Sequence, residues 1–156
     1  MQSVEIQGLD RVVKALENMP EVIREARAEV MEEMGQELLG AVQQRIGGTG
    51  RIADVQDYHV GSGKGYVAVR AKADTELDGY AAGYITNALE GGHAFPGQGV
   101  QGLSRRERRE RQSSNQRVPG KYMYRDTDRQ DVDRLTETAA QRIEDAALKA
   151  LDGGTT

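Results

Sequence analysis

The stretch that decides the fold is PEVIREARAEVMEEMGQELLGAVQQRIGG, residues 20 to 48. Its apolar residues recur every three or four positions, which is the spacing of one helix face. That stripe consists of Ile23, Ala26, Val30, Met34, Leu38, Ala41, Val42 and Ile46. Proline is tolerated in a first helical turn, and a glycine pair at 47 and 48 suits a C-cap. The sequence therefore predicts a helix from about Pro20 to Ile46, roughly 40 Å long.

The apolar spacing continues upstream of this helix. A further helical segment is predicted by the helical spacing of Leu9, Val12, Val13, Leu16 and Met19. Because proline is not tolerated in a helix interior, we expect that segment to end at Pro20. Residues 2 to 7, QSVEIQ, alternate polar and apolar side chains and predict a short strand.

A β-hairpin is predicted after the long helix. Residues 49 to 72, TGRIADVQDYHVGSGKGYVAVRAK, contain a strand that ends near Val60, a glycine-rich turn at 61 to 65, and a strand from Tyr66 to Lys72. Two alternating runs around such a turn are typical of a hairpin.

The rest of the chain predicts a short helix, a long loop and a closing helix. Tyr80, Tyr84 and Ala88 share a helical face, and glycines 91 and 92 end that helix. Residues 93 to 120 lack an apolar period and predict a long mobile loop, and KYMY at 121 to 124 predicts a last strand. An amphipathic C-terminal helix follows and ends at two glycines; its stripe is Val132, Leu135, Ala139, Ile143, Ala147 and Leu151.

These elements predict an α+β fold in a single domain, residues 1 to 156. A small antiparallel sheet is packed by the long N-terminal helix and the C-terminal helix, and a long basic loop projects at about 93 to 120. The core must be thin, since only 4% of the residues are aromatic and Phe95 is the one phenylalanine. We therefore expect part of the apolar surface to be buried against another subunit.

Composition excludes several classes of function. The chain has no cysteine, which excludes disulfides, thiolate catalysis and cysteine-based zinc sites. We expect no signal peptide and no membrane span, because no run of about 18 apolar residues occurs. The net charge is −4, with acidic ends around a basic middle, and acidic ends argue against nonspecific wrapping of DNA.

Glu90 and His93, in the sequence EGGH, are the candidates for acid–base or metal chemistry. A metal site needs at least three ligands, and the other histidine, His59, is more than 30 positions away. The glycine pair between them favours the alternative, in which a helix ends and His93 packs at the start of the loop. The GSGKG turn joins two strands and lacks the Ser or Thr of a phosphate loop, and no GxSxG occurs. We expect no catalytic residue, metal or cofactor.

The run SRRERRERQ carries five arginines, Arg105, Arg106, Arg108, Arg109 and Arg111. Three interpretations remain open: a solvated helix or mobile tip, a surface that docks on an acidic protein, and a nucleic-acid contact. The last would normally pair arginines with stacking aromatics, which are sparse here.

The order of these pieces resembles the tail-completion, or head–tail joining, proteins of long-tailed bacteriophages, often called minor tail proteins. The resemblance rests on an ensemble of short motifs over most of the chain: GLD at 8 to 10, TG plus an aliphatic at 49 to 52, Tyr84 with Glu90 and Gly91, and Pro119 with Tyr122. The long loop and KYMY depart from the family pattern, which has a shorter link and a more apolar segment.

The resemblance implies a structural virion protein without enzymatic activity. It implies a ring, with six as the expected number of copies, between the head connector or adaptor proteins and the tail tube, around a channel through which DNA passes without specific binding. The protein would lie at the head–tail interface of the virion, and in the host cytoplasm before assembly. The five arginines would dock on a neighbouring protein. The alternatives are a nucleic-acid-binding module that uses the arginine loop and a small hydrolase or metalloenzyme at Glu90 and His93.

Overall fold

A computed structural model describes residues 9 to 47, 50 to 94, 104 to 107 and 117 to 152. The helices are α1 (Leu9–Ile46), α2 (Arg51–Asp54) and α3 (Ala82–Gly91). A C-terminal helix covers residues 123 to 151, with α-helix at Met123–Thr127 and Asp133–Leu151 and π-helix at Asp128–Val132 between them. Within these ranges the strands form three antiparallel pairs: β1 (Gln56–Val60) with β2 (Val67–Ala71), β3 (Glu76–Leu77) with β4 (Tyr80–Ala81), and β5 (His93–Ala94) with β6 (Arg117–Val118). The predicted α+β fold is confirmed.

Helix α1 is longer than predicted, because it passes through Pro20 without a break. The prediction of a separate helix that ends at Pro20 is therefore wrong. Proline in a helix interior costs about 3 kcal/mol. The apolar residues before and after Pro20 nevertheless follow one helical period, so they lie on one continuous face of α1. With 38 residues, α1 is about 57 Å long.

The hairpin of β1 and β2 lies on the second half of α1. Its register pairs Gln56 with Ala71 and Val60 with Val67, and the second strand lies within the predicted bounds. Gly35 of α1 permits the close approach, since a Cβ there would come within 2.3 Å of the Tyr58 ring. The first strand ends at Val60 as predicted and begins at Gln56, after a helical turn at Arg51–Asp54.

A second hairpin, β3 with β4, was not predicted. Its two-residue turn is Asp78 and Gly79, and both have a positive φ, 52° and 82°. Asp-Gly is a strong signal for a hairpin of this kind. The hairpin leads directly into α3, which ends at Gly91 as expected. The placement of Tyr80 on the face of this helix is wrong, because Tyr80 lies in β4 and the helix begins at Ala82.

Residues 121 to 124 do not form the predicted strand. Tyr122 adopts the left-handed conformation with φ 51°, and the C-terminal helix begins at Met123. The Met123 side chain is fully buried and packs with Val42 and Ile46 of α1. Burial of this methionine against α1 fixes the helix start where local alternation indicates a strand.

The predicted long loop is closed at its base. His93 pairs with Val118 and Ala94 with Arg117, so the ends of the segment form a two-stranded ribbon. Within it, residues 105 to 107 form one helical turn. Residues 95 to 103 and 108 to 116 lie outside the described residues, as do the strand predicted at 2 to 7 and the final glycines, 153 and 154.

The C-terminal helix runs antiparallel to α1. Arg45 of α1 contacts Asp131 at 2.8 Å, and further along Arg142 forms a bidentate pair with Glu33. These ion pairs fix the antiparallel course of the two helices.

Among the described residues, the buried side chains include two small clusters that both contact β2. The first contains Val42, Ile46 and Met123. The second contains Val55, Leu77 and Ala82, and Ile52 contacts both. A core of this size agrees with the thin aliphatic composition.

Candidate interaction surfaces

The described part of the arginine run is a capped helical turn. The Ser104 amide donates to Glu107 Oε2 at 2.8 Å, and the Glu107 amide donates back to Ser104 Oγ at 3.4 Å. This reciprocal pair is a capping box, which the sequence Ser-Arg-Arg-Glu encodes locally. Arg105 and Arg106 are exposed on the turn. The other three predicted docking residues, Arg108, Arg109 and Arg111, lie outside the described residues.

Glu90 binds the start of the C-terminal helix. Its carboxylate accepts hydrogen bonds from the Tyr124 amide at 3.0 Å and the Arg125 amide at 3.2 Å. These amides belong to the first turn, which has no helical acceptors of its own, and a negative charge there also favours the helix dipole. The carboxylate proposed above as an acid or base is thus engaged as a helix cap.

Backbone contacts continue this attachment. The Lys121 amide donates to the Leu89 carbonyl at 2.8 Å, and the Tyr122 amide donates to the Glu90 carbonyl at 3.1 Å. Gly92 and Gly120 allow the two segments to touch: a Cβ on Gly120 would lie 2.3 Å from the Glu90 carbonyl oxygen. We call residues 89 to 92 and 119 to 125 together the latch.

Lys121 connects the C-terminal end of α1 to the latch. Its Nζ donates to the carbonyls of Ile46 at 2.5 Å and Gly47 at 3.2 Å, which lie at the C-terminal end of α1. A lysine in this position satisfies carbonyls that have no helical donor. The ends of α1 and α3, the start of the C-terminal helix and the base of the loop therefore meet at one end of the molecule, which we call the loop end.

His93 lies in β5 beside the latch, with its side chain exposed. Among the described residues, no group of three or more histidines, aspartates or glutamates is close enough to hold a metal ion. His59 lies on β1, far from Glu90 along the chain. Glu90 and His93 therefore belong to no such metal-binding group within the described ranges.

A buried polar network supports the latch from inside. The Tyr124 hydroxyl donates to Gln56 Oε1, and Gln56 Nε2 donates to the Ile52 carbonyl at 2.9 Å and Thr86 Oγ1 at 3.2 Å. Burial, with a smaller contribution from the Glu90 charge, raises the pKa of Tyr124 to about 12. The hydroxyl therefore stays neutral and serves as a hydrogen-bond donor.

The glycine-rich turn at 61 to 65 closes on itself. The Gly61 amide donates to the Tyr66 carbonyl at 3.0 Å, and the Lys64 amide donates to the Gly61 carbonyl at 2.7 Å. The first bond joins the two strands and the second lies within the turn, so both amides are engaged inside the hairpin.

The first half of α1 carries an apolar side that the described structure leaves open. Val12 is 47% exposed and Leu16 55%, while Val13 and Ile23 are also exposed. The adjacent side of the same helix is covered, since Ala15 is buried. The open side is about 100° wide, which is the width that a helix buries against a partner in a globular protein. We call the end of the molecule that bears it the helix end.

Two stacked tyrosines form a further exposed feature. The rings of Tyr80 and Tyr84 lie 6.2 Å apart, and Tyr84 is 69% exposed. Aromatic side chains are common anchors of protein interfaces. Their i, i+4 spacing was visible in the sequence, but there it indicated only a helix face.

Comparison of the chain with protein-family models, with curated proteins and with solved structures finds no match. Within the described ranges, no helix combines the length and the apolarity needed to span a membrane.

Proposed function

We propose that this chain is a structural subunit of the head–tail junction of a long-tailed bacteriophage. It assembles with itself into a ring, for which six copies are expected, and joins the head connector to the tail tube. DNA passes through the ring without specific binding. In this role the chain performs no catalysis and holds no cofactor.

The exposed apolar side of α1 carries this proposal. Four aliphatic side chains between Val12 and Ile23 are at least 36% exposed on a helix whose second half is buried in the body. Full burial of such a side chain contributes about 1.5 to 3 kcal/mol. This surface therefore favours the binding of another protein. A surface of this kind suits a protein that works through its interfaces.

The two ends of the molecule support a joining role. The loop end gathers three helix termini and the base of the basic loop, and the helix end presents the open apolar side of α1. The two ends are separated by most of the length of α1, about 57 Å. A subunit built this way can contact one set of neighbours with each end.

Two of the motifs on which the resemblance rests meet in the latch. The glutamate–glycine pair at 90 and 91 and the proline plus aromatic at 119 to 122 are distant in sequence and contact each other in the structure. Together they hold the base of the loop. The base of the loop is thereby fixed, and the five arginines from Arg105 to Arg111 are suited to an acidic protein surface.

Location in the particle tests this proposal. Cryo-electron microscopy of virions that carry a tagged chain should show a ring of tag density between connector and tail tube, and removal of the gene should leave separate heads and tails. Infectious, tailed particles formed without the chain would contradict the proposal.

A further inference from the structure

The β1–β2 hairpin has an open edge at β1. Within the described ranges these two strands form a sheet by themselves, and β1 pairs only with β2. Strand β2 has α3 and the C-terminal helix beside it, and Val69 and Val132 line one cavity there. The elements that pack chiefly on β1 are α1 and β2. An uncovered edge strand is a template on which a further strand can pair.

The ladder shows which backbone groups of β1 point at this edge. In an antiparallel pair, residues alternate between bonding the partner strand and facing away from it. The backbone bonds at the two ends of the ladder, at Val55 and Gly61, place the odd-numbered residues in the bonded positions. Tyr58 and Val60 therefore direct their amides and carbonyls outward. The Tyr58 amide donates to Oδ1 of the exposed Asp57 at 3.0 Å, in the place that a carbonyl of a third strand would take.

The sequence at residues 2 to 7 is suited to such a third strand. QSVEIQ alternates polar and apolar side chains and places the β-branched Val4 and Ile6 on one face. On β1, the half-buried face is that of Tyr58, whose ring packs on Gly35 of α1. Cross-strand pairs of an aromatic and a β-branched side chain stabilise a sheet. Val4 and Ile6 therefore match the face of β1 that lies towards α1.

This segment cannot reach β1 of its own chain. Val4 is five residues before Leu9, and an extended chain spans at most about 3.6 Å per residue, so Val4 lies within about 18 Å of Leu9. Gly35, on which Tyr58 packs, is 26 residues beyond Leu9 on the continuous helix α1, or about 39 Å away. Pairing between residues 2 to 7 and β1 therefore requires two copies of the chain.

We infer that residues 2 to 7 of one copy add as a third strand to the open edge of β1 in the next copy. Main-chain hydrogen bonds supply the affinity of such a contact, and the alternating side chains supply its specificity. The contact joins two different surfaces, so it repeats head to tail and produces a ring where the rotation closes. The open apolar side of α1 begins at Val12, shortly after the segment, so this contact also places that side near the neighbouring copy. The inference rests on the proposed self-assembly and specifies the surfaces that carry it.

Cysteine cross-linking tests the contact directly, because the natural chain has no cysteine. In the alternating segment Glu5 lies on the face opposite to Val4 and Ile6, and Asp57 and His59 are exposed on the corresponding face of β1. Neighbouring strands are about 4.8 Å apart, and a disulfide requires Cα atoms within about 7 Å. We expect full-length Glu5→Cys to form a mixed disulfide dimer with Asp57→Cys or with His59→Cys under mild oxidation.

Arg70→Cys is the matched control. Arg70 is the ladder partner of Asp57 on β2 and is likewise exposed, but it lies one strand further from the edge, about 9.6 Å from a third strand. It should therefore not cross-link to Glu5→Cys. Cross-linking at Arg70 equal to that at Asp57 and His59, or none at any of them, would overturn the inference. A dimer of Asp57→Cys with itself would also overturn it, because it would indicate that two β1 edges pair symmetrically.

A second measurement separates this contact from the proposed function. Proline has no amide proton for a ladder, so Val4→Pro should abolish self-association in sedimentation velocity with circular dichroism unchanged, whereas Val4→Ile should leave association intact. If Val4→Pro associates as the natural chain does, the strand contact is wrong although the ring stands. If the natural chain neither associates nor occurs in virions, the proposed function and the strand contact fail together.

Discussion

Replacing Glu90 with alanine tests the latch. The substitution removes both acceptors of the Tyr124 and Arg125 amides, at 3.0 and 3.2 Å. A hydrogen bond to a charged group contributes about 1.5 to 3 kcal/mol, and loss of a helix N-cap typically costs about 1 kcal/mol. The two bonds share one side chain, and water can reach Arg125, which is exposed. We therefore expect Glu90→Ala to lower the free energy of unfolding by about 2 to 3 kcal/mol.

For a chain of this size, that loss corresponds to a fall in melting temperature of about 5 to 10 °C. Differential scanning calorimetry measures it, and Glu90→Gln is the control. Glutamine keeps the shape and one acceptor oxygen but loses the charge, so it should lie between alanine and the natural chain. A Glu90→Ala protein that melts within about 1 °C of the natural chain would refute the role of Glu90 as a cap.

Three further results are expected. Gly120→Ala should destabilise the fold by more than about 2 kcal/mol in urea unfolding, because the new Cβ would lie 2.3 Å from the Glu90 carbonyl oxygen. The control is Gly40→Ala, which has nothing within 4 Å of its Cβ and should stabilise α1 by about 0.5 to 1 kcal/mol. The folded chain raises the pKa of Tyr124 from 10 to about 12, so the contribution of this protonated hydroxyl to stability is complete below pH 10 and is lost as the pH rises towards 12. In unfolding experiments between pH 10 and 12, Tyr124→Phe should therefore lose less stability than the natural chain does. Replacing the five arginines of residues 105 to 111 with glutamate should block head–tail joining in a complementation assay and leave the melting temperature unchanged; duplex DNA binding by the natural chain that falls steeply with salt in gel-shift titrations would instead favour a nucleic-acid contact.

The helices and the main hairpin could be predicted from the sequence because their signals are local. The stripe of α1, the turn at 61 to 65 and the apolar period after Val132 each lie within one element. The prediction at Pro20 is wrong because it depends on the local cost of a proline and not on the apolar face that α1 shares on both sides of it. The Asp78–Gly79 hairpin was missed although its signal was present.

Other features depend on contacts between distant residues. KYMY alternates like a strand, but the helix begins there because Glu90, 34 residues earlier, accepts the Tyr124 amide and because α1 buries Met123. The open side of α1 could not be predicted from the sequence either, because its apolar spacing is the same whether or not another element covers it. Only the exposure of the individual side chains, Val12 and Leu16 exposed beside buried Ala15, shows which side of the helix is left uncovered.

Native mass spectrometry of the full-length chain at increasing concentration tests the central claim most directly, namely that other copies cover the apolar side of α1. We predict a discrete closed oligomer larger than a dimer, together with protection of residues 12 to 23 from hydrogen exchange that appears only as this oligomer forms. A chain that stays monomeric at every concentration, with those residues already protected, would contradict the account.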